Sequence, residues 1–164
     1  MAFDSSASNL VPGDANDTQD VFLHDRQTGS TTRLSVGPGE AEGTGLSRSP
    51  AISADGRWVA FVSFASTLVA GDTNHVADVF VYDRQAGTLA RVSVGPGGVE
   101  GNRDSDNPAI SPDGRWVAFS SLATNLVADD ANAESDVFVH DRQTGATARV
   151  SVGPGGAEAD AGSG

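Results

Sequence analysis

The clearest pattern in the chain is NPAISPDGRWVAFSS at residues 107–121, and SPAISADGRWVAFVS precedes it by 58 positions at residues 49–63. A second pattern, Asp-Val-Phe, begins at Asp20, Asp78 and Asp136 with the same spacing. A fixed period of this length is typical of propellers, solenoids and other arrays in which copies of one supersecondary unit stack on each other. The sequence therefore predicts a repeat protein.

One repeat predicts four short antiparallel β-strands, here called A to D. Strand A is predicted at Pro50–Ser53 and strand B at Trp58–Ser63, because an Asp-Gly turn between them precedes β-branched and aromatic residues. Strand C is predicted at Asp78–Asp83 and strand D at Leu89–Val94. Strands B and C are near-continuous apolar runs, which indicates burial on both faces.

The period divides the 164 residues into three units at 1–48, 49–106 and 107–164. Three full periods need more residues than the chain has, and the difference falls on strand A of the first unit, because Met1 aligns with Val59 and Val117. The expected content is about 2.75 blades, with strands B to D in the first unit and A to D in the other two.

The pattern at residues 107–121, followed by DVFVHD at residues 136–141, resembles the WD40-like repeat of TolB-type β-propellers. The resemblance covers nearly the whole chain and rests most on the Ser-Pro-Asp-Gly-Arg turn before an aromatic strand. It implies an all-β fold of four-stranded blades, a six-bladed ring, binding of proteins or peptides, and a periplasmic or extracellular location. The N-terminus itself carries no basic-then-apolar leader.

The predicted strands are too few to close a ring, since propellers need about four to eight blades. A single chain would leave an apolar blade face exposed at each end, which costs roughly 25 cal/mol for every Å² in water. Two chains would supply six blades, so we expect a homodimer. The alternative is a fragment of a longer propeller.

Each predicted B-to-C loop contains Asp-x-Asn-x-x-x-Asp, a spacing that suits calcium because alternating Asp and Asn side chains can face one centre. The alternative is that these residues form Asx-turns that shape the loop. The loop does not match an EF-hand. The candidate ligands are Asp14, Asn16 and Asp20; Asp72, Asn74 and Asp78; and Asp130, Asn132 and Asp136.

The charge of −12 makes phosphate backbones poor partners, so nucleic acid is not expected. All ten cations are Arg, and no Cys is present, which leaves no disulfide, thiol nucleophile or zinc-thiolate site. No run of apolar residues is long enough to span a membrane.

No catalytic constellation stands out in the sequence. His24 and His140 share one repeat position with Tyr82, which favours an aromatic packing role, and His75 is an isolated loop residue. No Gly-x-Ser-x-Gly elbow, metalloprotease motif or phosphate-binding loop is present. The chain is therefore not expected to be an enzyme.

Two further repeated features favour structural roles. Asp-Arg recurs at the end of strand C, where the carboxylate can accept from the turn amides and the Arg can lie along the neighbouring blade. Trp58 and Trp116 follow the A-to-B turn and are expected to pack. The Asp-Arg pairs are Asp25-Arg26, Asp83-Arg84 and Asp141-Arg142.

These patterns together favour a non-catalytic, self-assembling propeller scaffold, with the B-to-C loops as its candidate calcium sites. A second interpretation is a module that binds a protein or a glycan, cut from a larger exported protein or from a peptidase.

Overall fold

The computed structural model describes residues 1–164 as three antiparallel β-sheets joined by long connections. The connections after strand D contain single 3₁₀ turns at Pro38–Glu40, Pro96–Gly98 and Pro154–Gly156. No helix has the length and apolarity needed to cross a membrane. The strands are β1 (Ala2–Ser5), β2 (Asp20–His24), β3 (Thr31–Arg33), β4 (Ser47–Ile52), β5 (Trp58–Ser63), β6 (Asp78–Asp83), β7 (Thr88–Arg91), β8 (Ser105–Ile110), β9 (Trp116–Ser121), β10 (Asp136–Asp141) and β11 (Ala146–Arg149).

Each sheet is a meander of consecutive strands, as expected for a propeller blade. Blade 1 contains β1 to β3, blade 2 contains β4 to β7, and blade 3 contains β8 to β11. The all-β prediction, the four-stranded unit and the shorter first unit are confirmed. Strands β5 and β6 have the bounds predicted for strands B and C.

Strand A is longer than predicted and contains a bulge. Strand β4 begins at Ser47, and its register with β5 shifts between Arg48 and Ala51. The shift surrounds Pro50, which has no N–H to donate, and Ser49, whose φ of 55° lies in the left-handed region. Strand β8 has the same shift before Ala109, and both strands begin two residues before the predicted unit divisions at 49 and 107.

Strand D is shorter than predicted, because a buried side chain takes over from the backbone ladder. Strand β7 ends at Arg91, and the hydroxyl of Ser93 then donates to Asp78 Oδ1 at 2.5 Å and accepts from the Val79 amide at 3.1 Å. The chain turns away from the sheet there, and Val94 forms an isolated bridge with Glu100.

The core lies between blades, not inside any one of them. Blade 2 packs on blade 1 through Phe61, Phe80 and their neighbours, and on blade 3 through Val62 and Val79. Strands β5 and β6 are therefore buried on both faces, as their apolar runs predict. Phe61 and Phe80 stack across the strand pair with ring centroids 6.0 Å apart.

Candidate functional site

Each B-to-C loop folds over an arginine from strand D of its own blade. In blade 1, Nη1 of Arg33 lies 2.6 Å from Glu42 Oε1, 3.3 Å from Asp14 Oδ1 and 3.5 Å from Asp20 Oδ2. Only 8% of the Arg33 side chain is exposed. We call these groups the arginine–carboxylate clusters. The other two contain Arg91 with Asp72, Asp78 and Glu100, and Arg149 with Asp130, Asp136 and Glu158.

The asparagine of each loop supports the cluster by hydrogen bonds within the protein. Asn16 Nδ2 donates to Asp20 Oδ2 at 3.0 Å and to the Gly43 carbonyl at 3.2 Å. Its Oδ1 accepts from the Thr18 amide, which closes an Asx-turn. This pattern favours the structural alternative for these loops. Asn74 and Asn132 make the corresponding bonds.

Burial makes the loop carboxylates costly to charge. Removal from water raises the pKa of Asp14, Asp72, Asp78 and Asp130 above the ordinary value for Asp. The pKa of Glu42 is lowered instead, first because its carboxylate accepts from the Ala15 amide. The arginine therefore supplies the positive charge that these buried groups require.

The clusters bear directly on the predicted calcium ligands. In each loop the two aspartates lie against a guanidinium, and the asparagine turns a donor group, not an oxygen, toward the second aspartate. The structure has no group of three or more His, Asp or Glu side chains placed to hold a metal ion. The residues as arranged do not form a calcium shell, and calcium binding stays a prediction.

The sequence analysis did not single out the glutamate of each cluster or the serine that donates to its second aspartate. Glu42, Glu100 and Glu158 recur at one repeat position, as do Ser35, Ser93 and Ser151. Their recurrence is the signal that could have identified them. The glutamates are distant from the Asp-Asn loop in sequence. The connection after strand D returns to that loop and brings them close to it in space.

The carboxylates of the repeated Asp-Arg pairs have the predicted role. Asp83 accepts from the Gln85 amide at 2.9 Å and also binds Arg57 through both carboxylate oxygens, at 2.9 and 2.7 Å. Asp141 repeats both contacts with Gln143 and Arg115. Asp25 accepts from the Gln27 amide, so all three carboxylates cap their turns.

Arg142 connects neighbouring blades. Its guanidinium carbon lies 3.5 Å from the ring centroid of Trp58, and its Nη1 donates to the Gly114 carbonyl at 2.5 Å. Gly114 has a φ of 72°, and a Cβ there would overlap the Trp58 ring. The close approach therefore requires glycine. Trp58 packs against the core between blades 2 and 3, as predicted.

Trp116, the counterpart of Trp58 in blade 3, has no arginine from a neighbouring blade stacked on it. Trp116 is 42% exposed and is covered only by Arg115 of its own blade, 4.7 Å from the ring centroid. At the other end of the chain, Arg26 occupies the repeat position of Arg142 and is exposed.

Each end blade exposes a face that is buried elsewhere in the molecule. Val150 is 49% exposed, whereas Val92, its counterpart in blade 2, is 2% exposed and lies in the core against blade 3. On blade 1, Met1 is 65% exposed and Leu10 is 37% exposed, although the residues at their repeat positions in blades 2 and 3 are buried. The two end faces therefore match the two sides of the internal blade contacts.

The shared position of His24, Tyr82 and His140 lies on strand C and faces strand D. Nδ1 of His140 lies 2.9 Å from Thr147 Oγ1, and burial lowers the pKa of this histidine. The 164 residues are used entirely by the three blades and their connections.

Comparison with solved structures shows the fold. The putative TolB of Agrobacterium tumefaciens superposes with a TM-score of 0.57 over 91% of this chain, at 17% identity. The β-propeller domain of the Trilobed protease of Pyrococcus furiosus superposes with a TM-score of 0.50 over 79% of this chain, at 13% identity. The chain is therefore a β-propeller of the TolB type in fold, as its repeat pattern implies.

A sequence relative covers part of the chain. The probable dipeptidyl-peptidase 5 of Aspergillus niger is 36% identical over 87 residues, which is 49% of this chain and 12% of the peptidase. The chain also spans 41% of the TolB structure and 32% of the Trilobed protease domain. No protein-family model matches it.

Proposed function

We propose that this chain is a non-catalytic propeller scaffold that associates with a second copy of itself, so that two chains supply the blades of one six-bladed ring. The observation that carries the proposal is the exposure, at the two ends, of apolar faces that pack together inside the chain. The ring size comes from the resemblance to TolB-type propellers.

The internal blade contacts indicate how two copies would meet. Val92 of blade 2 packs against the blade 3 core, so Val150 of one copy would face blade 1 of the next. Leu10 would receive it, because Leu68 and Leu126 occupy that position in the internal contacts. Head-to-tail contacts of this kind close into a ring when the rotation between copies permits it.

Light scattering across a range of protein concentrations tests the proposal, and we expect a dimer. Val150→Glu should shift the mass toward the monomer, because it places a charge on the end face. Val99→Glu is the matched control, since Val99 is also an exposed valine, at 56%, but lies in the connection after strand D. A monomer at every concentration would refute self-association.

The likeness to a peptidase supports a second candidate function, that of an accessory segment of a larger protein. Its basis is the 36% identity over about half of this chain. Such a segment would have its end faces covered by other blades of its own polypeptide, and the isolated chain would then give a weak, concentration-dependent mixture instead of one defined species. The resemblance implies a periplasmic or extracellular location, which is compatible with both proposed functions. Fractionation of the source cells would test this location.

A further inference from the structure

A groove of about 700 Å³ lies between the outer parts of blades 1 and 2. Strand β3 forms one side, and β7 with Tyr82 forms the other. Leu68 and Val69 supply part of its apolar surface, and the 3₁₀ turn at Pro38–Glu40 borders it. The groove is made entirely within one chain, so it does not depend on self-association.

The repeat position that lines this groove differs from its two counterparts. Tyr82 pairs with Leu89 across β6 and β7, whereas His24 pairs with Thr31 and His140 pairs with Thr147. Both His-Thr pairs are hydrogen-bonded, at 3.1 and 2.9 Å. In blade 2, both members of the pair therefore differ from the His-Thr pair that blades 1 and 3 share.

The change leaves a backbone acceptor free in the groove. Between blades 2 and 3, the Thr147 hydroxyl donates to the Val94 carbonyl at 2.5 Å and ties the two blades together. Between blades 1 and 2, Leu89 occupies the place of Thr147 and has no hydroxyl to donate. The Val36 carbonyl, which corresponds to that of Val94, receives no hydrogen bond from the protein.

A carboxylate at the border of the groove also appears in one repeat alone. Glu40 lies in the 3₁₀ turn with a φ of 62°, a left-handed conformation that side chains other than glycine rarely adopt. The corresponding residues of the other repeats are Gly98 and Gly156, at 78° and 82°. The Glu40 carboxylate is exposed and forms no ion pair, unlike Glu42 two residues later.

We propose that this groove binds a basic peptide segment. An aliphatic side chain of the peptide would pack on Val69 and Leu89, and a neighbouring Lys or Arg would donate to the Glu40 carboxylate and the Val36 carbonyl. The Glu40 carboxylate and the Val36 carbonyl are acceptors without a protein donor, and the chain carries a charge of −12 with no Lys, so a cationic ligand is complementary. The apolar surface adds the selectivity that charge alone lacks.

Fluorescence anisotropy with a fluorescein-labelled peptide of alternating Lys and Leu tests the proposal. We expect saturable binding of one peptide per chain. Glu40→Gly should weaken binding about tenfold, as expected for the loss of one charge-assisted contact. Asp129→Asn is the matched control for charge, because it removes one exposed carboxylate from a distant loop. A peptide of alternating Glu and Leu should not bind, and one of alternating Lys and Gly should bind weakly.

Substitutions copied between repeats locate the site. The double variant Tyr82→His, Leu89→Thr gives blade 2 the pair found in its neighbours and should abolish binding. The triple variant Gly98→Glu, His140→Tyr, Thr147→Leu should create a second groove between blades 2 and 3 and raise the stoichiometry to two peptides per chain.

Three results would overturn the proposal. Unchanged affinity in the blade 2 double variant would show that the peptide binds outside the groove. Unchanged affinity in Glu40→Gly would show that the Glu40 carboxylate does not contact the peptide. Equal binding of the Glu-Leu peptide would show that charge does not select the ligand. Because glycine is the residue that the other repeats carry at this position, Glu40→Gly keeps the test valid even if the double variant fails to fold.

Discussion

The guanidinium of Arg142 stacks on the ring of Trp58 at 3.5 Å, so a residue of blade 3 covers the exposed edge of blade 2. The contact sits beside the core between these blades and is partly withdrawn from water. Stacking of this kind is stronger when it is desolvated.

Arg142→Ala should lower the free energy of unfolding by about 1–2 kcal/mol, because it removes both the stacking on Trp58 and the bond to the Gly114 carbonyl. Urea denaturation followed by tryptophan fluorescence would measure the loss. Arg103→Ala is the control, since Arg103 is exposed and makes no ion pair. Equal effects of the two substitutions would show that the stacking adds nothing.

The same contact is expected between two copies of the chain. Arg26 of one copy should stack on Trp116 of the other, because these residues hold the repeat positions of Arg142 and Trp58. Arg26→Ala should weaken dimerisation about tenfold, measured by sedimentation at several concentrations. Trp116→Ala should have a similar effect, and the double variant should lose little more than either single one. Additive losses would show that the two residues do not meet.

Arg91→Leu should be the most damaging of the substitutions considered, with a loss of about 3–5 kcal/mol in the free energy of unfolding. It leaves Asp78, which is fully buried, without the cation that lies 3.2 Å away. Chemical denaturation would measure the loss. Arg84→Leu is the matched control. The Arg84–Asp25 ion pair is 3.6 Å long and about a third of each side chain is exposed, so this substitution should cost less than about 1 kcal/mol. A small effect of Arg91→Leu would mean that the cluster relaxes or hydrates without it.

Asp83 should contribute a stability that depends on pH. The hydrogen bond from Arg57, aided by the turn amides, lowers the pKa of Asp83 to about 2. The unfolded value is about 3.9, so the contribution is present above pH 4 and is lost as the pH falls toward 2. The stability difference between the native chain and Asp83→Asn should shrink over that range in urea denaturation. A stability difference that stays constant between pH 4 and pH 2 would contradict this.

Calcium should leave the melting temperature unchanged if the arginines already neutralise the loops. Differential scanning fluorimetry with added calcium and then with a chelator would measure this. A stabilising shift that saturates with calcium and disappears in Asp72→Asn would instead support the ligand role predicted from the loop spacing. Magnesium at equal concentration controls for ionic strength.

Sequence patterns predicted strands B and C to the residue, because a run such as Trp58–Ser63 is buried on both faces and has a sharp polar boundary. They missed the start of strand A, where Pro50 is accommodated by a bulge that only the paired strand reveals. They also extended strand D too far, because the competing hydroxyl of Ser93 is bonded to Asp78, fifteen residues earlier. Local propensity carries no information on such distant partners.

The loops show the same limit. The spacing of Asp14, Asn16 and Asp20 correctly marked a place where polar side chains converge. It could not show that Arg33 and Glu42 join them, since these residues come from strand D and the connection beyond it. A carboxylate loop and a metal site look alike in sequence until the compensating cation is located.

One contact distinguishes blades that are otherwise close copies. Arg48 and Asp106 occupy the same position of successive repeats, and the two Nη atoms of the guanidinium donate to the two carboxylate oxygens, at 2.9 and 2.7 Å. Tandem copies can dock out of sequence during folding, and an error of one whole unit would cost little core packing. Opposite charges at a single repeat position favour docking of the second blade on the third, by less than about 1 kcal/mol because about a third of each side chain is exposed. The ion pair therefore adds a small preference for the native order of blades 2 and 3, which the shared core packing alone does not supply.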